Sequence, residues 1–324
     1  MPSSIAYGFP SDPHPITRKR TMPVPPPDGE YVCHGVTWTT GDPRLLLAPL
    51  PDGPLIYAEI MNQRLGFQVM STGRWCTGRY RFADTVRVEA LACPHRARAT
   101  QSGQCAACAD QDDFRFAHQV HQGGHAPDAL RRYMAQPHWL YMATFADGTT
   151  KVGTAAEPRK RSRLDEQGAL WATYLFKSPD GRSVRHLEDT LASRLRVPQT
   201  VRAAAKLQAL ADLADLSTAH TAHQQTIARA ADVLDAPTVM EAWAPPAEGE
   251  RLRTAGGTRV LYPHDLREGE HSFTPVSFLG SQVLALLEQG DDIGYLLDLG
   301  KLKGCRIILG PFTSPNTAVQ ASLF

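Results

Sequence analysis

The pattern of apolar and polar positions is most informative between His138 and Leu195. His138–Phe145 is an apolar, aromatic run that predicts a strand, and Ala146-Asp-Gly148 predicts the turn after it. Thr149–Gly153 returns as a second strand. Glu157–Leu164 starts as a helix, with Pro158 at its first position and Gly168 as its stop. Leu170–Phe176 reads as a third strand, and Gly181–Leu191 leads into a second helix. On that helix Val184, Leu187, Leu191 and Leu195 make an apolar stripe, and Glu188 falls inside it. The predicted order is ββαβα.

The flanks have different rhythms. Tyr31–Thr39, Arg44–Ala48, Leu55–Glu59, Phe67–Met70 and Val86–Ala92 are short apolar runs, separated by turn signals such as Gly41-Asp-Pro43 and Pro51-Asp-Gly-Pro54. Val201–Leu216 and the stretch around Ile227, Ala230, Ala231 and Leu234 repeat at helical spacing. Ala244–Glu250 reads as a linker. Val276–Leu279, Val283–Leu287, Gly294–Leu299 and Cys305–Leu309 read as a β meander. The expected fold is therefore α+β and multidomain. Residues 1–28 form a Pro-rich tail, 29–133 a small β domain with a cysteine module, and 134–200 the ββαβα domain. Residues 201–245 form a helical segment and 246–324 a small C-terminal β barrel or sandwich.

Composition narrows the function classes. The chain has 324 residues and a formal net charge of +1, so it is no polycationic coat, and any nucleic-acid contact must be local. No apolar stretch approaches the roughly 18 to 20 residues that span a bilayer, which argues against a membrane protein. The first thirty residues carry no apolar signal core, so a cytoplasmic location is expected. The Thr17–Arg20 basic patch reads as part of a solvated tail.

Six cysteines in such a chain point to metal rather than to disulfides. Cys105-Ala-Ala-Cys108 is a chelating knuckle. With Cys76 and Cys93 it supplies four thiolates, a closed tetrahedral shell suited to a structural zinc. The polar segment 97–111 is too poor in apolar residues to fold without such a staple. His95 or Cys33 is an alternative ligand, and Cys305 reads as a core thiol. His118, His121 and His125 read as an exposed polar segment.

The central domain carries the candidate chemistry. Glu188 in an apolar stripe needs a compensating cation, either a divalent metal such as magnesium or manganese, or an arginine such as Arg161 or Arg163. Arg159, Lys160, Arg161 and Arg163 crowd one short helix, which suits a phosphate partner or, alternatively, a plain solvated face. Tyr141 is the strand residue expected to face this site, or else a core aromatic with a polar handle.

These elements resemble the GIY-YIG nuclease domain. Trp139-Leu-Tyr141 stands for Gly-Ile-Tyr and Lys151-Val-Gly153 for Tyr-Ile-Gly, with ten residues from Tyr141 to Lys151. Arg159 and Arg161 follow Gly153 by six and eight residues. The resemblance implies that Arg161 is the catalytic arginine, that Glu188 holds the catalytic Mg or Mn, and that Tyr141 aids attack on phosphorus. Arg159, Lys160, Arg163 and Thr154 would contact substrate. Lys151 replaces the second tyrosine and can act as a base only if burial or a nearby cation lowers its pKa.

The whole chain also resembles a bacterial family defined as a domain of unknown function, through Arg74-Trp-Cys-Thr-Gly78, Gly103–Cys108, Lys151–Gly153, Glu166-Gln-Gly-Ala169 and Gly300–Gly304. Three functions are then open. One is metal-dependent cleavage of a nucleic-acid phosphodiester; the second is nucleic-acid binding without cleavage. The third is chemistry on a small acidic or carbonyl substrate, with Lys151 as base or nucleophile.

Overall fold

The structure is a computed structural model that describes residues 26–70, 73–100, 103–117, 123, 126–211, 216–234, 238–254, 258–288 and 293–316. The basic patch at Thr17–Arg20 and the histidines His118, His121 and His125 lie outside the described residues. Four strands come first: β1 (Gly29–Thr37), β2 (Arg44–Pro49), β3 (Ile56–Glu59) and β4 (Leu65–Val69). The hairpin β5 (Arg79–Phe82) and β6 (Val88–Leu91) follows, then the short helices α1 (Ala106–Asp110) and α2 (Asp128–Met134).

The central elements are β7 (His138–Thr144), β8 (Thr150–Ala156), α3 (Lys160–Gln167), β9 (Trp171–Ser178) and α4 (Gly181–Leu195), the ββαβα order read from the sequence. Helices α5 (Ala203–Ala211) and α6 (Leu216–Val233) lead to the short β10 (Glu241–Ala242) and to α7 (Glu250–Arg253). The chain then runs through β11 (Arg259–Leu261), β12 (Gly269–Leu279), β13 (Gln282–Leu286), β14 (Gly294–Asp298) and β15 (Arg306–Leu309). Seven helices and fifteen strands among the described residues make a mixed α and β protein.

Alternate residues of the outer strands point into one core: Tyr31 and Cys33, Leu45 and Leu47, Leu65 and Phe67, Val283 and Ala285, Tyr295 and Leu297, Ile307 and Leu309. These residues come from both ends of the chain because the strands form one nine-stranded sheet, in the order β11-β14-β13-β12-β4-β15-β1-β2-β3. Strand β15 lies between β4 and β1. The eleven-residue β12 joins the halves: residues 269–273 pair with β4, and 274–279 pair with β13, with a register shift between Pro275 and Ser277. The two β segments expected as separate domains at 29–133 and 246–324 are thus corrected to one sheet. Neither end has enough apolar strand faces to close this core alone. The expected linker at Ala244–Glu250 is also more ordered than its prolines imply. It runs into a 3₁₀ turn and α7, where the Ser277 hydroxyl donates to Glu248 O at 2.7 Å and Leu252 is fully buried.

The cysteine module and the central domain are held against this sheet. Trp75 N donates to Gly304 O at 2.7 Å, joining two of the segments that carried the family resemblance. A third meets the sheet at Gly168, which ends α3 at φ 67; a Cβ there would lie 2.8 Å from Leu279 O.

In the central sheet, ordered β10-β9-β7-β8, strand β7 is interior and β8 is an edge. One face carries Trp139, Tyr141 and Ala143 under Leu164 of α3 and Trp243. The other carries Leu140, Met142 and Val152 under Val184, Leu191 and Leu195 of α4 and Ile227 of α6.

Because β15 is inserted between strands of the N-terminal half, Ile307→Ala should cost about 2–5 kcal/mol and act on both halves. Urea unfolding followed by Trp38 fluorescence, in the N-terminal half of the same core, should show the loss in a single transition. A Trp38 signal unmoved by Ile307→Ala would mean that the halves fold separately.

Candidate functional site

The four cysteines of the expected shell come together. Cys76, Cys93, Cys105 and Cys108 are all buried, none is in a disulfide, and their sulfurs lie within 4.8 Å of one another. Two local backbone turns present them. Cys105 is the residue before α1, so Cys108 sits one turn on, and Gly78 N donates to Cys76 Sγ at 3.3 Å. Cys76 N donates to Ala97 O at 2.8 Å, which draws the segment carrying Cys76 against the polar segment. Burial raises Cys76 to about 11 and raises Cys108 as well. At Cys105 burial also raises the thiol, but a backbone hydrogen bond from Cys108 and the neighbouring cysteines outweigh it, and the net direction is down. This set can hold a metal ion. His95 is exposed and Cys33 and Cys305 belong to the large core, so none of the three enters the cluster.

A second cluster forms at the β8 edge of the central sheet. Tyr141 is fully buried, and its hydroxyl has no hydrogen-bond partner of good geometry. It lies directly over Gly153, its cross-strand neighbour; a Cβ there would sit 2.5 Å from the phenol oxygen. The glycine of the second motif is therefore what admits the tyrosine of the first. Burial raises the Tyr141 pKa, opposed by Arg163 and Arg185 and reinforced by Glu188. Lys151, two residues before Gly153, is 6% exposed and donates to Gln199 O at 3.2 Å. Burial, then Arg163 and Lys206, bring its pKa down to about 8. That shift from 10.5 corresponds to about 3 kcal/mol against the charged form.

Glu188 is buried as the stripe predicts, but its counter-ion is Arg185, one turn back on α4, at 2.8 Å. Neither arginine expected for that pairing makes it. Arg161 is instead exposed and faces Asp165 at 3.8 Å. Arg163 turns inward, and Tyr141 and Glu188 are among the groups that raise its pKa against the effect of burial. Of these two α3 arginines, Arg163 is the one that acts on Tyr141.

Two more basic residues are committed elsewhere. Arg159 pairs with Glu166 at 2.6 Å. Lys160 pairs with Glu241 at 2.7 Å and lies over the Trp139 ring at 3.6 Å. Thr154 is half-buried on β8, opposite Leu140. Arg185 and Tyr133 were not anticipated; Arg159, Arg163 and Arg185 all act on the Tyr133 hydroxyl. Arg185, three residues before Glu188, carries the helical-spacing signal that could have found it.

The family profile described as Protein of unknown function (DUF2797) matches residues 81–249, just over half of the chain, and the chain belongs to that family. The matched stretch holds the second cluster and three of the four cysteines; Cys76 precedes it. No curated protein and no solved structure matches the chain. Among the described residues no helix is long and apolar enough to cross a membrane.

The cysteine geometry predicts one metal ion per chain by elemental analysis of protein purified without chelator. Cys108→Ser should lose most of it and lower the melting temperature. A metal-free wild-type chain with the same melting temperature would contradict the cluster's role.

Proposed function

We propose that this chain acts on nucleic acid by gripping a phosphodiester at the cluster of Tyr141, Lys151, Arg163, Arg185 and Glu188, on a domain of the GIY-YIG type. The observation that carries the reading is charge. Lys151, Arg163, Arg185 and the nearby Lys206 outnumber Glu188 and Glu166, and Glu166 is already paired with Arg159. Such an excess of one sign favours an anion, and two guanidiniums present forked donors to phosphate oxygens. The Tyr141 oxygen can accept from Arg163, which leaves its O–H as a further donor.

A divalent magnesium or manganese ion fits this donor set poorly. Its one carboxylate, Glu188, is already paired with Arg185 and is surrounded by Lys151 and Arg163. The reading therefore routes no step through a metal here and rests on binding first. Cleavage is a second reading, favoured by one observation, the lowered pKa of Lys151. At pH 7 about one Lys151 in ten is neutral, enough to accept a proton from water while Arg163 steadies charge on the phosphoryl oxygens. The same lysine would serve a small acidic or carbonyl substrate, but the paired arginines favour phosphate.

For the other cluster we propose zinc. Four thiolates at about 2.3 Å from one ion stand about 3.8 Å apart when tetrahedral, and Cys93 and Cys105 are 3.9 Å apart. Such a shell leaves no ligand position for water, so the ion would hold the module together.

In gel shifts or anisotropy with short DNA and RNA strands, Arg163→Ala should weaken binding about tenfold and reduce the salt slope by about one. Arg161→Ala should do much less, because its side chain is exposed and faces Asp165. The reverse ranking would return the site to Arg161 and sink this geometry.

The pH response has a definite sign. Lys151 is charged below about 8 and neutral above it, so phosphate affinity should fall as pH rises through that value. Any cleavage rate should rise over the same interval and level off. Lys151→Met should flatten both profiles, and profiles unchanged by Lys151→Met would remove this lysine from the site.

A further inference from the structure

A cavity of about 770 Å³ opens beside the cysteine cluster, lined among others by Thr77, Tyr80, Gln104, Asp112, Phe114 and Lys303. That volume lies within the usual range of small-ligand sites. Tyr80 belongs to β5, whose sequence Arg79-Tyr-Arg-Phe82 interleaves basic and aromatic side chains. Its backbone is fixed, since Tyr80 N donates to Asp112 Oδ2 at 3.0 Å, and its ring meets Phe114 edge to face at 6.1 Å. The side chain nevertheless remains 44% exposed.

Tyr80 also looks toward the central domain. Burial raises its hydroxyl pKa, and Glu166 and Arg159 of the central domain are close enough to act on it. A side chain that is open to solvent yet desolvated lies in a concavity. From Phe114 the aromatic contacts continue to Tyr133 at 5.3 Å and to His138 of β7 at 5.8 Å. Tyr133 in turn lies among Arg159, Arg163 and Arg185. These rings belong to a packed core that separates the cavity from the cationic cluster by two aromatic side chains, Phe114 and Tyr133.

We propose that Tyr80 stacks an unpaired nucleobase at this cavity, while the adjoining backbone of the same strand runs to Arg163 and Arg185. The inference rests on the phosphodiester reading and makes the substrate single-stranded nucleic acid. A duplex keeps its base faces covered by neighbouring pairs, whereas a single strand can turn one outward onto an aromatic ring. The cavity wall also carries Lys303 and Arg115 with Asp110 and Asp112; Arg115 pairs with Asp110 at 2.7 Å and Gln104 Nε2 donates to Asp112 Oδ2 at 2.7 Å, so the wall is polar and close to neutral. In this reading the cysteine module holds the platform at which the base binds.

The test uses the full metal-loaded chain and a single-stranded oligothymidylate carrying one 2-aminopurine, beside a duplex of the same sequence. Tyr80→Ala should weaken single-strand binding about tenfold and abolish the quenching of 2-aminopurine. Tyr80→Phe should retain both, which separates stacking from misfolding. Duplex affinity should be lower than single-strand affinity and indifferent to Tyr80→Ala. Equal single-strand affinity in Tyr80→Ala and wild type would overturn the base site, and a parallel loss in Arg163→Ala would leave the phosphodiester reading standing. Loss in Tyr80→Ala with none in Arg163→Ala would overturn the reading of the cluster instead. A wild-type chain that binds neither probe would overturn both.

Discussion

Lys151, Arg163 and Arg185 share the edge of the central sheet with the Glu188 carboxylate, and the arrangement of that domain follows from accommodating them. Burial opposes every charge there, which is why Lys151 titrates near 8 and why Glu188 does not stand alone. Tyr141 is drawn into the same place because Gly153 has no side chain to keep it out. The Tyr141 hydroxyl lies beside Arg163, and the cations there outnumber the carboxylates Glu188 and Glu166. Under the proposed function a phosphate group would answer this excess of positive charge, which connects that proposal to the physical cost of the site.

The sheet that carries these domains imposes the second constraint. Strands β1 to β4 and β12 to β15 complete one core, so the cysteine module and central domain lie on a loop of chain closed by long-range strand pairing. The contacts at Trp75–Gly304 and Gly168–Leu279 then fix where the two attached units sit. That placement brings Tyr80 near Arg159 and Glu166, although they lie 79 and 86 residues further along the chain.

Much of this was legible locally. The ββαβα order follows from apolar runs, turn residues and one helical stripe, and Glu188 is conspicuous because it interrupts that stripe. Close cysteine spacing announced the cluster. What local pattern misses is pairing between distant strands, since alternation gives a strand's buried face and not its neighbour; the single nine-stranded sheet was therefore read as two domains. That Arg163 and not Arg161 acts on Tyr141 has a similar cause. A 3₁₀ turn at Glu157–Arg159 precedes α3, and its tighter winding changes the phase of the arginines counted from Gly153. Lys160 was withdrawn from the site by Trp139 and by Glu241, a residue from a strand far along the chain.

The most direct test of the central claim is NMR titration of the Lys151 side chain, assigned by Lys151→Met, with and without a dinucleotide phosphodiester. A bound anion stabilises the ammonium, so the account predicts a pKa near 8 in the free chain and a clear rise with the dinucleotide. A Lys151 that titrates at the ordinary lysine value, or one that the dinucleotide does not move, would contradict it.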